Sequence, residues 1–121
     1  MQINIVYDSS ANSAPAAFKT AVAYVVNLLD AAFTNNVTLN IHVGWGEVNG
    51  SPITSNDLGE SEEAEAPRYD YATIRDALIA NGTAADQLAA FATLPTSDPT
   101  NGGVFDIGRA EAKALGLIGA N

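Results

Sequence analysis

A strand–helix–strand pattern over Gln2 to Val43 constrains the fold of this chain more than any other feature. Apolar and polar residues alternate over Gln2 to Tyr7 and again over Val37 to Val43, as in β-strands that bury one face. Between them, apolar residues recur at three- and four-residue steps: Phe18, Val22, Val25, Val26, Leu29 and Phe33. Such a stripe is wide enough to cover a sheet. The pattern predicts a right-handed βαβ unit with adjacent, parallel strands.

The predicted helix begins at a cap on Asn12 or Ser13, with Pro15 in its first turn, and ends at Asn35-Asn36. The main core is expected to contain Phe18, Val22, Val25, Leu29, Ile5, Leu39 and Ile41. A core position of this kind predicts that Leu29→Ala costs about 2–5 kcal/mol of stability.

The rest of the chain predicts further helices and short edge strands within one α/β domain over residues 1–121. From Gly44 to Pro67 the periodicity fails, which predicts either a hidden edge strand near Ile53 to Leu58 or an ordered functional loop. The later elements expected are a helix capped by Asp70 and stopped by Asn81-Gly82, a helix from a Thr83–Asp86 capping box to Leu94-Pro95, an extended piece over Val104 to Ile107, and a helix from Arg109 to Leu115 closed by Gly116.

Residue inventory excludes several kinds of chemistry. The chain has one histidine, His42, and no cysteine, so it offers no set of zinc ligands and no thiolate nucleophile. We therefore expect no structural zinc, and we assign no catalytic and no metal-ligating residue. His42 falls on the polar phase of the second strand; a solvent-facing histidine is the simpler interpretation, and a lone base or a ligand completed by another segment is the alternative.

Five basic and fourteen acidic residues give a net charge of −9, which argues against nucleic acid or an anionic membrane as partner. No apolar stretch approaches the roughly 18 residues of a membrane span, and no signal peptide is visible, which leaves the localisation open. The acidic residues concentrate between Asp57 and Asp70. A solvated loop is the simpler interpretation, and weak calcium binding is the alternative.

The segment Gly44-Trp45-Gly46-Glu47 is the best candidate for a binding site. It leaves the carboxyl end of the second strand, where α/β folds usually bind ligands. Trp45 could stack on a ligand, and Glu47 could act as an acid or base, so both are assigned as ligand-binding residues. The alternative is that Trp45 covers the edge of the core.

Several stretches resemble the N-terminal half of a family of bacterial zincin-like metallopeptidases, which are often secreted. They are Ile5 to Ser10, Val43 to Gly50, Leu58 to Ser61, Leu94 to Pro99 and Ala110 to Leu117. The resemblance implies the upper subdomain of a zincin, a βαβ start followed by edge strands and a substrate-facing loop, in an extracellular bacterial protein.

In that family a further strand and a helix with His-Glu-x-x-His follow, and the two histidines bind the zinc of the full-length hydrolase. This sequence contains no such motif, so whether the chain takes part in an enzyme is left open, and its partner would be the C-terminal remainder of a longer protein. The first alternative is a stand-alone acidic module that binds a cation, a sugar, a peptide or a protein through the Gly44–Glu47 and Asp57–Asp70 loops. The second is a metal-free hydrolase that uses Glu47 and neighbouring carboxylates.

Overall fold

A computed structural model describes residues 1–54 and 56–121. The chain forms two compact units: an N-terminal unit of Met1–Glu62 with Asn121, and a C-terminal unit of Glu63–Ala120. Helices accompany two small two-stranded sheets in the N-terminal unit and one in the C-terminal unit, which agrees with the predicted α/β class. The expectation of a single domain over residues 1–121 stays a prediction.

The N-terminal unit contains the predicted βαβ arrangement. Strand β1 (Gln2–Tyr7), helix α1 (Ala16–Ala32) and strand β2 (Thr38–Val43) follow one another, and the two strands are adjacent and parallel, from Gln2 opposite Thr38 to Tyr7 opposite Val43. The helix boundaries differ from the prediction. Asp8 caps a 3₁₀ turn over Ser9–Asn12, and Pro15 is the cap residue of α1. The helix ends before Asn35-Asn36 because Phe33 is already extended.

The register gives the sheet one apolar and one polar face. Ile3 and Ile5 pair with Leu39 and Ile41, and this face is turned toward α1. On the other face the Asn4 amide donates to Oδ1 of Asn40 at 3.0 Å. His42 lies exposed on the polar face, as predicted.

The predicted core is wrong in degree: its residues are half-buried or exposed rather than buried. Val25 and Ile41 are exposed, and Leu29 keeps 37% of its surface in solvent. These side chains line a groove of about 340 Å³ between α1 and the sheet. The buried apolar residues of this unit are Ile3, Ala11 and Val37. The exposure follows because a sheet of two strands is too narrow to cover the apolar stripe of a 17-residue helix.

This exposure lowers the expected cost of removing Leu29. Leu29→Ala removes a side chain that already meets solvent, so the loss should be about 1 kcal/mol, below the about 2–5 kcal/mol of a fully buried leucine. Urea denaturation measures it, with Ile3→Ala as the buried control. A cost above about 3 kcal/mol for Leu29→Ala would show that the groove closes in solution.

The segment after β2 forms a hairpin instead of an irregular turn. Strands β3 (Glu47–Val48) and β4 (Ser51–Pro52) are antiparallel. The two residues between them have positive φ, 49° at Asn49 and 79° at Gly50, as a type I′ hairpin turn requires. The edge strand considered for residues 53–58 is absent from the described part of that stretch, and Ser55 lies outside the described residues.

The C-terminal unit contains the three later helices that the sequence predicts. They are α2 (Tyr71–Asn81), α3 (Ala85–Phe91) and α4 (Arg109–Ala114), and an antiparallel pair of strands, β5 (Tyr69–Asp70) with β6 (Val104–Phe105), accompanies them. Asp70 caps α2 as predicted, by accepting the Thr73 N–H at 2.8 Å. The cap predicted for α3 is wrong, because Oε1 of Gln87 accepts the N–H groups of Thr83 and Ala84.

A few residues make up the buried centre of the C-terminal unit: Ala66, Tyr71 and Ala112. The Tyr71 hydroxyl donates to the Pro95 carbonyl at 2.7 Å, which ties the start of α2 to the segment after α3. Across residues 1–54 and 56–121, no helix has the length and apolar character needed to cross a membrane.

Candidate functional site

Two carboxylates meet at the carboxyl ends of β1 and β2. Asp8 directly follows β1, and Glu47 lies four residues after the end of β2. Because the strands are parallel and adjacent, their carboxyl ends lie side by side, and the Asp8 N–H donates to the Val43 carbonyl at 3.2 Å. The parallel register therefore brings the Glu47 loop beside Asp8.

Ser10 links the two carboxylates. Its hydroxyl lies within hydrogen-bond distance of Oδ1 of Asp8 and, at 3.0 Å, of Oε1 of Glu47, and it accepts the Trp45 N–H at 2.8 Å. A hydroxyl has one proton to donate, so it serves one carboxylate at a time. We call Asp8, Ser10 and Glu47 the carboxylate–serine cluster.

Gly44 allows the carboxylates to lie against the main chain. A Cβ at this position would lie 1.9 Å from Oε1 of Glu47 and 2.8 Å from Oδ2 of Asp8. Glycine leaves that space open. The second oxygen of Glu47 accepts the Gly50 N–H of the hairpin turn. Glu47 thus contacts Ser10 through one oxygen and the hairpin turn through the other, so it stabilises the hairpin as well as being a candidate ligand-binding residue.

Trp45 lies beside this cluster, bound to it through its backbone N–H. Its ring packs edge-to-face on Phe18 of α1, with ring centroids 4.9 Å apart and planes at 64°. The side chain keeps 42% of its surface in solvent. Trp45 is therefore neither a fully buried core residue nor a free one, and its exposed part is open to a ligand.

This intermediate position sets the expected effect of Trp45→Ala. The variant loses one aromatic contact and part of the buried ring, so we expect a cost of about 1–2 kcal/mol, below the about 3–5 kcal/mol of a buried tryptophan. Thermal and urea denaturation measure it, with the exposed Tyr24→Ala as control. A cost within the buried range would assign Trp45 to the core and remove it as a ligand contact.

Hydrogen bonding favours the ionised form of Asp8. The Ser10 hydroxyl lowers the pKa of Asp8 most, and the N–H groups of Ser10 and Ala11 lower it further, while partial burial opposes them. The carboxylate is therefore negatively charged at neutral pH.

The lowered pKa gives the contribution of Asp8 a defined pH dependence. Because the folded pKa lies below the unfolded value of about 3.9, the stabilisation is present above that value and is lost as the pH falls through the folded pKa. Asp8→Asn should be less stable than the wild type at pH 7, and the difference should shrink below about pH 4. Urea denaturation from pH 7 to 2 tests this; a difference that widens in acid would contradict it.

The acidic residues between 57 and 70 serve separate local partners. In the N-terminal unit, Asp57 accepts from the Thr54 hydroxyl and Glu62 from the Asn49 amide. In the C-terminal unit, the Glu63 carboxylate lies against Gly108, and Asp70 caps α2. Within the described residues, no three His, Asp or Glu side chains are grouped as a metal site requires.

Asp8 and Ser10 are the cluster residues that the sequence reasoning missed. The rule that selected Trp45 and Glu47, namely that ligand sites gather at the carboxyl ends of parallel strands, applies equally to the end of β1. Once the strands are predicted to be parallel, it selects Asp8 and Ser10 from the sequence.

No known family can be assigned to this chain by similarity. Comparison of the chain with protein-family models, with curated proteins and with solved structures finds no match in any of the three. The function has to be inferred from the residues themselves.

Proposed function

We propose that this chain is the N-terminal portion of a zinc-metallopeptidase-like protein of extracellular bacterial origin, where it forms a non-catalytic part resembling the upper subdomain of a zincin. The resemblance of its short stretches supports this, and so does one observation in particular. Helix α1 is apolar on more than the side that faces the sheet: Tyr24 is 65% and Leu28 52% exposed, and neither lines the groove.

Tyr24 and Leu28 are four residues apart and so share one face of α1. Ala17 and Ala31 fall close to the same face, which carries no charged residue. Although α1 also carries Lys19 and Asp30, a second apolar face beside the groove side indicates that the helix packs against more than this sheet. This second face needs a cover that the sheet does not provide, and the remainder of a longer protein would supply it.

The small size of the sheet also supports a longer protein. Within the described residues, β1 and β2 form a sheet of two strands. Parallel sheets occur almost always with both faces covered and with further strands. A further strand, as the resemblance implies, would extend this sheet.

In this proposal the zinc and its catalytic glutamate belong to the remainder of the protein. The zinc would polarise the scissile carbonyl and activate water there. Residues 1–121 contribute the sheet, the helix α1 and the Gly44–Glu47 loop, and they hydrolyse nothing alone.

A single substitution measured in two contexts tests the proposal. Leu28→Glu should change the stability of residues 1–121 by less than about 1 kcal/mol, since the side chain is half-exposed. In the complete product of the encoding gene, the same change should cost more than about 2 kcal/mol, because it would bury an unpaired charge. Ala23→Glu, at an exposed position of α1 four residues after Lys19 and away from the face of Tyr24 and Leu28, is the matched control. An equally small effect of Leu28→Glu in both contexts would overturn the proposal.

The second candidate function is a stand-alone module that binds a cation, a sugar, a peptide or a protein through the Gly44–Glu47 and Asp57–Asp70 loops. The half-exposed Trp45 beside the carboxylate–serine cluster favours it. Trp45 is the one tryptophan of the chain, so its emission reports on this loop directly. Titration with calcium, soluble oligosaccharides and a mixed peptide pool should shift that emission if the loop binds ligands. Unchanged emission with all three would count against this function.

A further inference from the structure

The groove between α1 and the β1–β2 sheet is lined by apolar side chains alone. They are Ile3, Ile5, Phe18, Ala21, Val22, Val25, Val26, Leu29, Ile41 and Val43. Its volume of about 340 Å³ falls within the range of small-molecule sites. Apolar space of this kind gains nothing from water, which needs polar partners, and is filled favourably by hydrocarbon.

One end of the groove is polar and carries negative charge. The lining residue Val43 leads directly into Gly44, against which both the Asp8 and the Glu47 carboxylates lie. The lining residue Phe18 contacts Trp45. The carboxyl end of β2 therefore places two acidic groups and an aromatic ring beside the apolar space.

Charge at this end discriminates between head groups. The cation shown next to this region is Lys19, whose ammonium lies 4.9 Å from the centre of the ring of Tyr7, the residue before Asp8. Two carboxylates against one ammonium, in a chain with a net charge of −9, favour a cation and repel a carboxylate. The same net charge disfavours a second copy of this chain as the occupant.

We propose that this groove binds a single alkyl chain with a cationic head group, the chain lying between α1 and the sheet and the head group lying beside Asp8, Glu47 and Trp45. This site is separate from the face of α1 that carries Tyr24 and Leu28. It is independent of whether the chain belongs to a peptidase.

Trp45 emission provides the measurement. Residues 1–121 are titrated with dodecyltrimethylammonium and with dodecanoate, each below its micelle concentration and below the concentration at which far-UV circular dichroism changes. We expect saturable binding of the ammonium compound that is at least tenfold tighter than that of dodecanoate. Equal affinity for the two compounds, or no saturable binding of the ammonium compound, would overturn the proposal.

Two variants locate the site. Val22→Phe fills the groove and should weaken binding at least tenfold, whereas Leu88→Phe, at an exposed position of α3, should leave it unchanged. Asp8→Asn keeps the groove volume and should reduce the preference for ammonium over carboxylate, which tests the charge even if Val22→Phe fails to fold. Unchanged binding by a folded Val22→Phe, an unchanged preference in Asp8→Asn, or a dimer in sedimentation that excludes the alkyl chain would each contradict it.

Discussion

Replacing Tyr71 by alanine should destabilise the C-terminal unit by about 3–5 kcal/mol, the range for large aromatic residues in a core. Tyr71 is among the few buried residues of that unit, and its hydroxyl donates to the Pro95 carbonyl at 2.7 Å. The substitution removes the ring from the packing around α2 and leaves the carbonyl without its donor. Urea denaturation followed by circular dichroism measures the loss.

Two controls separate the contributions at Tyr71. Tyr71→Phe keeps the ring and removes only the hydrogen bond, so it should cost about 0.5–1.5 kcal/mol. Tyr24→Ala, at an exposed position of α1, should cost less than about 1 kcal/mol. If Tyr71→Ala costs no more than Tyr24→Ala, the C-terminal unit is not held together at Tyr71.

Ser10→Ala should cost about 1–3 kcal/mol, because it leaves polar groups without their partner in a half-buried site. The Trp45 N–H loses its acceptor, and Asp8 and Glu47 lose the hydroxyl proton between them. The hairpin β3–β4 should then protect its amides less against hydrogen exchange. The exposed Ser61→Ala is the matched control, and an equal, negligible effect of both variants would show that the carboxylate–serine cluster does not hold the loop.

Periodicity was enough to predict the βαβ unit. The alternation in β1 and β2 and the stripe on α1 are strong, local signals, and the structure confirms the order of the elements and the parallel pairing. The depth of the core was not predictable in the same way. Whether Leu29 and Ile41 are covered depends on how many strands lie beneath α1, which no local pattern encodes.

The candidate site was predictable in part. Trp45 and Glu47 follow from the end of β2, but their partner Ser10 lies thirty-five residues from Trp45 along the chain and becomes a neighbour only through the parallel register. The hairpin has a local signal in the sequence, since Asn49-Gly50 is a strong short-range indicator of a type I′ turn. The carboxylates between 57 and 70 are close in sequence but belong to two different units of the structure. Their clustering in the sequence therefore did not predict a common site.

The zinc content of the complete gene product tests the proposed function most directly. Residues 1–121 and the complete product are each dialysed against a mild chelator, and bound zinc is then measured by atomic emission. The proposal predicts one zinc per complete chain, with peptide hydrolysis that a strong chelator abolishes, and no stoichiometric zinc on residues 1–121, which have His42 as their one histidine and no cysteine. A complete product without zinc, or stoichiometric zinc on residues 1–121 alone, would contradict it.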